Sequence, residues 1–265
     1  TSTTLYTSTS ESLIVWLYVS NFRHARGGTW YPAKLGSQEL VSQAGASRTV
    51  VDFGVFGICL IIGLYHFIVF LQRREDKASL FFGGLCASIA LRHALTTRLV
   101  QKMGMGLSEA GFELLVRLEY GGIPLMLYFG GFFIYALLPN RRFKTFVEIW
   151  VVGLGGVLMV FTATASIRVL TEYISLYQLH LAGGFICAVA YLGQKVSEGL
   201  AGSRWVSLAF LVLGAGIIHD LLIEAGFIMD VYLAPYCFIA FMLIQSGLWS
   251  GKSARAFERA KHLSK

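Results

Sequence analysis

Long apolar runs separated by short polar stretches dominate the chain from residue 51 onward. A helix needs about 20 mostly apolar residues to cross the hydrocarbon core of a bilayer. Runs of this kind occupy residues 53–72, 78–97, 118–138, 146–165, 173–193, 205–223 and 231–250. The polar stretch from Thr96 to Leu114 is too charged to cross and connects the second and third runs. The pattern predicts an all-α membrane protein built as a bundle of seven transmembrane helices.

Residues 1–50 follow a different pattern. The segment 12–22 is rich in β-branched and aromatic residues, which is typical of a strand. Gly27 and Gly28 mark a turn, and residues 30–35 have the composition of a second short strand. Two or three strands cannot bury a core of their own. We therefore expect residues 1–50 to be the end of a larger extracytoplasmic β domain whose earlier part precedes Thr1.

Composition supports the membrane assignment. Hydrophobic residues make up 55% of the 265 residues and charged residues only 14%, and the mean hydropathy is +0.64. A soluble domain usually has about 25% charged residues. The chain also has 29 glycines, which suit a membrane bundle because small residues let helices approach closely.

The positions of Lys and Arg predict the orientation, since cytoplasmic loops of membrane proteins carry an excess of them. If the first helix runs inward, thirteen of these cations lie on the inner side: Arg73, Arg74, Lys77, Arg141, Arg142, Lys144, Lys195, Arg204, Lys252, Arg255, Arg259, Lys261 and Lys265. Five lie on the outer side: Arg92, Arg98, Lys102, Arg117 and Arg168. We predict an extracytoplasmic N-terminus and a cytoplasmic C-terminus. The net charge of +7 is then explained by the cytoplasmic excess of Lys and Arg, and nucleic-acid binding is not expected.

The C-terminal segment 251–265 has helix-forming residues and no Pro. Ala256, Ala260 and Leu263 have a spacing compatible with the start of a coiled coil. A basic tail lying on the lipid surface fits the same residues. We expect residues 251–265 to begin a cytoplasmic signalling helix and both ends of the chain to be connections to further domains.

Ionisable side chains at membrane depth are costly and mark functional sites or buried pairs. One set of polar residues is predicted near the outer helix ends: Arg92, His93, Arg117, Glu119, His180, His219 and Asp220. Three interpretations stay open for it. The set is a polar layer that couples the outer domain to helix movement, with Arg92 or Arg117 paired to Glu119 or Asp220; it is a small-ligand pocket; or it consists of structural pairs at headgroup level.

A second, smaller set is predicted near the inner helix ends and comprises His66, Gln245 and Ser246. A histidine inside a membrane is more often an interhelical hydrogen bonder than a ligand of a bound group. The set therefore favours helix packing, with a binding role as the alternative.

The sequence lacks the motifs expected for retinal, metal or nucleotide binding. The seventh run has no Lys for a retinal Schiff base, and no His-Glu-x-x-His spacing indicates a metal. Glycine pairs such as Gly83-Gly84 precede no Lys-Ser or Lys-Thr and indicate close helix packing. The four cysteines lie in apolar runs and are expected to act as small hydrophobic residues.

We expect no enzyme activity, no cofactor and no metal. A small-molecule transporter or channel stays open as the alternative function.

Several stretches together carry a family resemblance. They are Val19 to Gly28, Gly63 to His66, Arg73 to Asp76, Phe81 to Gly83, Arg117 to Tyr120, His219 to Leu222, Pro235 and Gln245-Ser246. The chain resembles the bacterial seven-transmembrane receptors with diverse intracellular signalling modules, and Val19 to Gly28 resembles the closing strands of their periplasmic jelly-roll domain. His219 departs from the pattern, since such receptors often have Asn there.

The resemblance implies a membrane-embedded sensor and relay in the bacterial inner membrane. It also implies a periplasmic domain similar to carbohydrate-binding modules, with a histidine kinase, diguanylate cyclase or phosphatase after the seventh helix. We therefore expect three parts: 1–50, the end of the jelly-roll-like β domain; 51–250, the seven-helix domain; and 251–265, the start of the signalling helix. The expected partners are the lipid bilayer, a carbohydrate-like periplasmic ligand, a cytoplasmic effector and a second copy of the chain.

Overall fold

The structure is a computed structural model that describes residues 36–104, 106, 108–200, 202–224, 227–228 and 231–247. Its helices are α1 (Gln38–Gln72), α2 (Lys77–Thr96), α3 (Leu99–Lys102), α4 (Glu109–Leu137), α5 (Arg141–Phe146), α6 (Gly155–Thr164), α7 (Ile167–Glu172), α8 (Ile174–Ser197), α9 (Ser203–Glu224) and α10 (Ala234–Gly247). A π-helix, Val147–Leu154, joins α5 and α6 into one continuous helix. These described ranges contain no strand.

Within the described residues, six helices are long and apolar enough to cross a membrane: α1, α2, α4, the continuous helix Arg141–Thr164, α8 and α9. The shorter apolar helix α10 follows them. Ile61, Leu64 and Ile68 of α1 are more than half exposed in the isolated chain, and lipid would cover such side chains. The order of helices matches the seven predicted runs. The prediction of an all-α membrane bundle is confirmed.

The first helix begins earlier than the sequence pattern indicated. It starts at Gln38, where the Ser37 side chain accepts a hydrogen bond from the Leu40 amide at 3.3 Å. Because residues 38–50 contain no Pro to stop it, the helix continues from this cap into the apolar run. The last part of the range predicted to be a β domain is therefore helical instead. The predicted strands at 12–22 and 30–35 lie outside the described residues.

Glycines allow α1 and α2 to cross closely. A Cβ added to Gly63 would lie 3.2 Å from the Gly83 carbonyl oxygen, and one added to Gly83 would lie 3.1 Å from the Gly63 oxygen. Beside this crossing Phe82 is buried, with its ring centroid 5.0 Å from that of Phe133 and 6.0 Å from that of Phe241. The apolar core therefore joins α2 to α4 and α10.

Short connections and direct packing make consecutive long helices antiparallel. The α2–α4 and α6–α8 connections, the end of α9 and the start of α10 consequently lie at the same end as the start of α1. This end is called the N-terminal end of the bundle. The connections α1–α2, α4–α5 and α8–α9 lie at the opposite end.

The fourth span contains a feature that the apolar pattern does not signal. Residues 147–154 form i to i+5 hydrogen bonds, and π-helical turns of this kind often occur at functional sites. The Trp150 indole N–H within this segment donates to the His180 carbonyl of α8 at 3.1 Å. The π-helix is thereby tied to the neighbouring span.

Candidate coupling site at the N-terminal end of the bundle

An ion pair joins α1 to α3 at the N-terminal end, and a histidine of α2 lies beside it. The Lys102 ammonium of α3 lies 2.5 Å from the Asp52 carboxylate of α1. The His93 Nε2 of α2 lies 3.8 Å from the other oxygen of the same carboxylate. Asp52 and His93 are each only 8% exposed. This carboxylate therefore pairs α1 with α3, and the buried His93 ring of α2 packs beside the pair.

Two arginines tie α4 to its neighbours through main-chain oxygens. Arg92 of α2 donates to the Glu119 carbonyl at 2.8 Å. Arg117 of α4 donates to the carbonyls of Thr162 at 2.5 Å and Ala163 at 3.0 Å. The last carbonyls of a helix lack partners within it and carry partial negative charge, so a guanidinium stabilises the end of α6.

A buried hydroxyl pair continues this series from α6 to α8. The Thr162 and Tyr177 hydroxyl oxygens lie 2.5 Å apart, and Tyr177 also donates to the Leu158 carbonyl at 3.1 Å. Both side chains are buried. The two helices are therefore joined by hydrogen bonds in an apolar surrounding, where leaving either group unpaired is costly.

Asp220 of α9 holds the start of α10. Its carboxylate accepts hydrogen bonds from the amides of Leu233 at 2.7 Å and Ala234 at 3.1 Å. The His219 Nδ1 lies 3.3 Å from the same carboxylate. A negative charge at a helix N-terminus is favourable because the unpaired amides and the helix dipole are positive there. Asp220 thus acts as a cap supplied by one helix to the next.

His180 lies apart from these contacts. Its ring is 1% exposed and stacks on Trp150 with centroids 6.0 Å apart. A Cβ added to Gly155 would lie 3.3 Å from its Nε2, so this glycine makes room for the ring. Neither ring nitrogen has a hydrogen-bond partner in the described part of the chain. His180 therefore packs against the π-helical span rather than joining the other polar residues.

The second predicted set lies on α1 and α10. The His66 ring packs edge-on against Phe82 at 4.6 Å and against Tyr65 at 5.2 Å. Gln245 is 3% exposed, and Ser246 is half-buried. These residues are located in the helix-packing region, in accord with their interpretation as packing residues, which stays a prediction.

Among the described residues, these polar side chains make separate contacts between neighbouring helices. Groups of His, Cys, Asp and Glu that could hold a metal are absent from the described residues. Sequence reasoning missed Asp52, Lys102, Thr162 and Tyr177. Asp52 did give a signal, because it is an acid directly before the first apolar run, but its partner is 50 positions away.

Replacing Arg117 with glutamine tests the contact between α4 and α6. We expect the free energy of unfolding to fall by about 2 kcal/mol, because two charge-assisted hydrogen bonds are lost. Chemical unfolding of the reconstituted protein measures this change. The control is Arg168→Gln, an exposed arginine at the same end with no side-chain partner in the described chain. Equal losses in both variants would show that these hydrogen bonds contribute nothing.

These helices define a multi-pass membrane protein with polar contacts between its spans. A family model described as 7TM diverse intracellular signalling matches residues 48–248, a range that contains most of α1 and every later helix described above. The chain therefore belongs to the 7TM diverse intracellular signalling family, which confirms the resemblance read from the sequence. It is a membrane sensor domain of a signalling receptor. No curated protein and no solved structure matches the chain.

Proposed function

We propose that the bundle passes a signal from an extracytoplasmic ligand to a cytoplasmic effector of the kinase, diguanylate cyclase or phosphatase class. The N-terminal end faces outward in the bacterial inner membrane, and the effector follows the last helix in a second domain of a dimeric receptor. The observation that carries this proposal is the series of polar contacts that links successive helices at the N-terminal end.

The series runs through most of the bundle. Asp52 joins α1 to α3, which directly follows α2 in the chain. Arg92 joins α2 to α4, and Arg117 joins α4 to α6. Tyr177 then joins α6 to α8. Asp220 joins α9 to α10. A force on α1 from an outer domain therefore has a path of directional contacts as far as α8, and a further contact joins α9 to the last helix.

The step from α8 to α9 uses apolar packing instead. The Phe185 ring lies 6.5 Å from the Phe210 ring, and a Cβ added to Gly214 would lie 2.5 Å from Phe185. Packed interfaces of this kind have discrete arrangements rather than continuous ones. They suit a bundle that switches between two packings.

The distribution of positive charge supports the outward orientation. At the N-terminal end Arg92, Lys102 and Arg117 are engaged by carbonyls or a carboxylate of the chain itself. At the opposite end the connections and the helix ends that adjoin them carry eight Lys or Arg, which are Arg73, Arg74, Lys77, Arg141, Arg142, Lys144, Lys195 and Arg204. An excess of this kind is expected on the cytoplasmic side.

The energies are of the size that such a switch needs. A ligand can shift the bundle only if it binds one packing better than the other. Moving the equilibrium from 1:99 to 99:1 takes about 5.5 kcal/mol. Breaking one buried ion pair costs about 3–5 kcal/mol. Rearranging the contacts around Asp52 would therefore supply a large part of the free-energy difference that the switch requires.

Replacing Asp220 with asparagine tests the proposal through the output. The side chain keeps its shape but loses the charge at the start of α10, worth about 1 kcal/mol. We expect about a fivefold shift between the two packings and a matching change in effector output. The output is measured as cyclic dinucleotide formed by a diguanylate cyclase joined after Lys265.

Glu172→Gln is the matched control, since Glu172 is an exposed carboxylate at the same end. Unchanged output together with unchanged stability in Asp220→Asn would contradict the coupling role. Proteoliposomes provide a second test, because a receptor domain gives no solute flux whereas a transporter does.

A further inference from the structure

A cavity lies at the opposite end of the bundle, between the start of α5 and the end of α8. Its volume is about 360 Å³, and it is lined by Asn140, Arg141, Arg142, Phe143, Tyr191 and Gln194. Its floor is aromatic, because the Phe143 and Tyr191 rings stack with centroids 4.2 Å apart. The cavity is thus basic at its rim and apolar at its base.

The two arginines are available for a ligand. Neither guanidinium has a hydrogen bond or ion pair with any residue that the structure describes. In the described part of the chain, the carboxylates that follow the cavity residues on the same two helices are already engaged. Glu148 lies 3.4 Å from Lys144, and Glu198 lies 2.6 Å from Lys195. Positive charge therefore remains uncompensated at the cavity.

The main chain contributes little to this site. Asn140 Oδ1 accepts hydrogen bonds from the amides of Arg142 at 2.9 Å and Phe143 at 3.3 Å, so the first turn of α5 is already capped. The Tyr191 hydroxyl donates to the Leu138 carbonyl at 2.6 Å. Recognition of a ligand rests on the arginine side chains.

We propose that this cavity binds the phosphodiester headgroup of an anionic phospholipid through Arg141 and Arg142. Guanidinium groups bind phosphate oxygens by paired hydrogen bonds. Basic pockets between helices at the membrane boundary suit anionic headgroups. The cavity lies at this boundary, since α4 ends and the next span begins there.

A lipid explains the surroundings better than phosphate from solution. Ile149 and Val152 follow on the same continuous helix and are 68% and 41% exposed. They give apolar surface on which acyl chains can lie once the headgroup is bound. An inorganic phosphate would use only the rim of the cavity.

The test is a titration of the full chain, held in phosphatidylcholine nanodiscs, with fluorescent phosphatidylglycerol. We expect R141Q/R142Q to weaken binding about tenfold, because two headgroup contacts are lost. R73Q/R74Q is the matched control, since it removes the same charge at the same end outside the cavity. The affinity of R73Q/R74Q should stay within about twofold of that of the unsubstituted protein.

R141K/R142K keeps the charge and covers the case that the first variant misfolds. It is expected to weaken binding several-fold, since lysine cannot form the paired hydrogen bonds. Equal weakening by R141Q/R142Q and R73Q/R74Q would overturn the proposal in favour of general charge attraction. Full competition by millimolar inorganic phosphate would also overturn it, because the ligand would then be a soluble anion. Signalling output is not used, so the result is independent of the receptor role.

Discussion

Replacing Asp52 with alanine is expected to lower the free energy of unfolding by about 3 kcal/mol. The variant leaves the Lys102 ammonium without the carboxylate that lies 2.5 Å from it. The Lys102 side chain is 29% exposed and can partly reach water, so the expected cost is at the lower end of the range for a broken buried pair. His93 loses the same neighbour. The change is measured by unfolding the protein in lipid bicelles.

A double variant separates the unpaired charge from the lost attraction. Asp52→Ala with Lys102→Ala removes both charges, and we expect it to recover more than half of the lost stability. Glu75→Ala is the control, because Glu75 is an exposed carboxylate at the opposite end. If Asp52→Ala and Glu75→Ala lower the free energy of unfolding by the same amount, the ion pair does not hold the helices together.

Replacing Gly216 with alanine is expected to have the second largest effect. An added Cβ would lie 2.8 Å from the Cys237 Cβ and 2.9 Å from the Ala234 Cα. The Ala234 Cα is a main-chain atom that no rotamer change can move, so α10 has to shift away from α9. Overpacking of this kind costs about 1–3 kcal/mol. The same shift draws the amides of Leu233 and Ala234 away from Asp220.

Gly156→Ala serves as the matched control for this variant. A Cβ there meets no atom within 4 Å, and alanine favours a helix over glycine. We expect Gly156→Ala to be neutral or stabilising in the same unfolding assay. Equal behaviour of the two variants would mean that α9 and α10 do not pack as closely as described.

The membrane spans could be predicted because hydropathy depends only on residues that are consecutive in sequence. The start of α1 could not, since Ser37 and the polar turns after it lie outside the apolar run. The π-helix at 147–154 also gave no signal, because its apolar residues are the same ones that an α-helix would have.

The candidate site was harder to predict than the fold. Arg92, Arg117 and Asp220 were identified by their charge, but each binds main-chain groups of a neighbouring helix, and sequence does not reveal such partners. Asp52 and Lys102 lie far apart along the chain and meet only through the packing of α1 against α3. Composition gives the residue types, whereas their pairing depends on the three-dimensional arrangement.

The central claim is that contacts at the N-terminal end set the positions of the helices at the opposite end. Spin labels at Gln72 and Gly247, the last residues of α1 and α10, lie at the opposite end of the bundle. Electron paramagnetic resonance in nanodiscs measures the distance between the two labels. We predict that Asp52→Ala shifts or splits the distance distribution relative to the otherwise unchanged protein. An identical distribution in a folded Asp52→Ala protein would contradict the account.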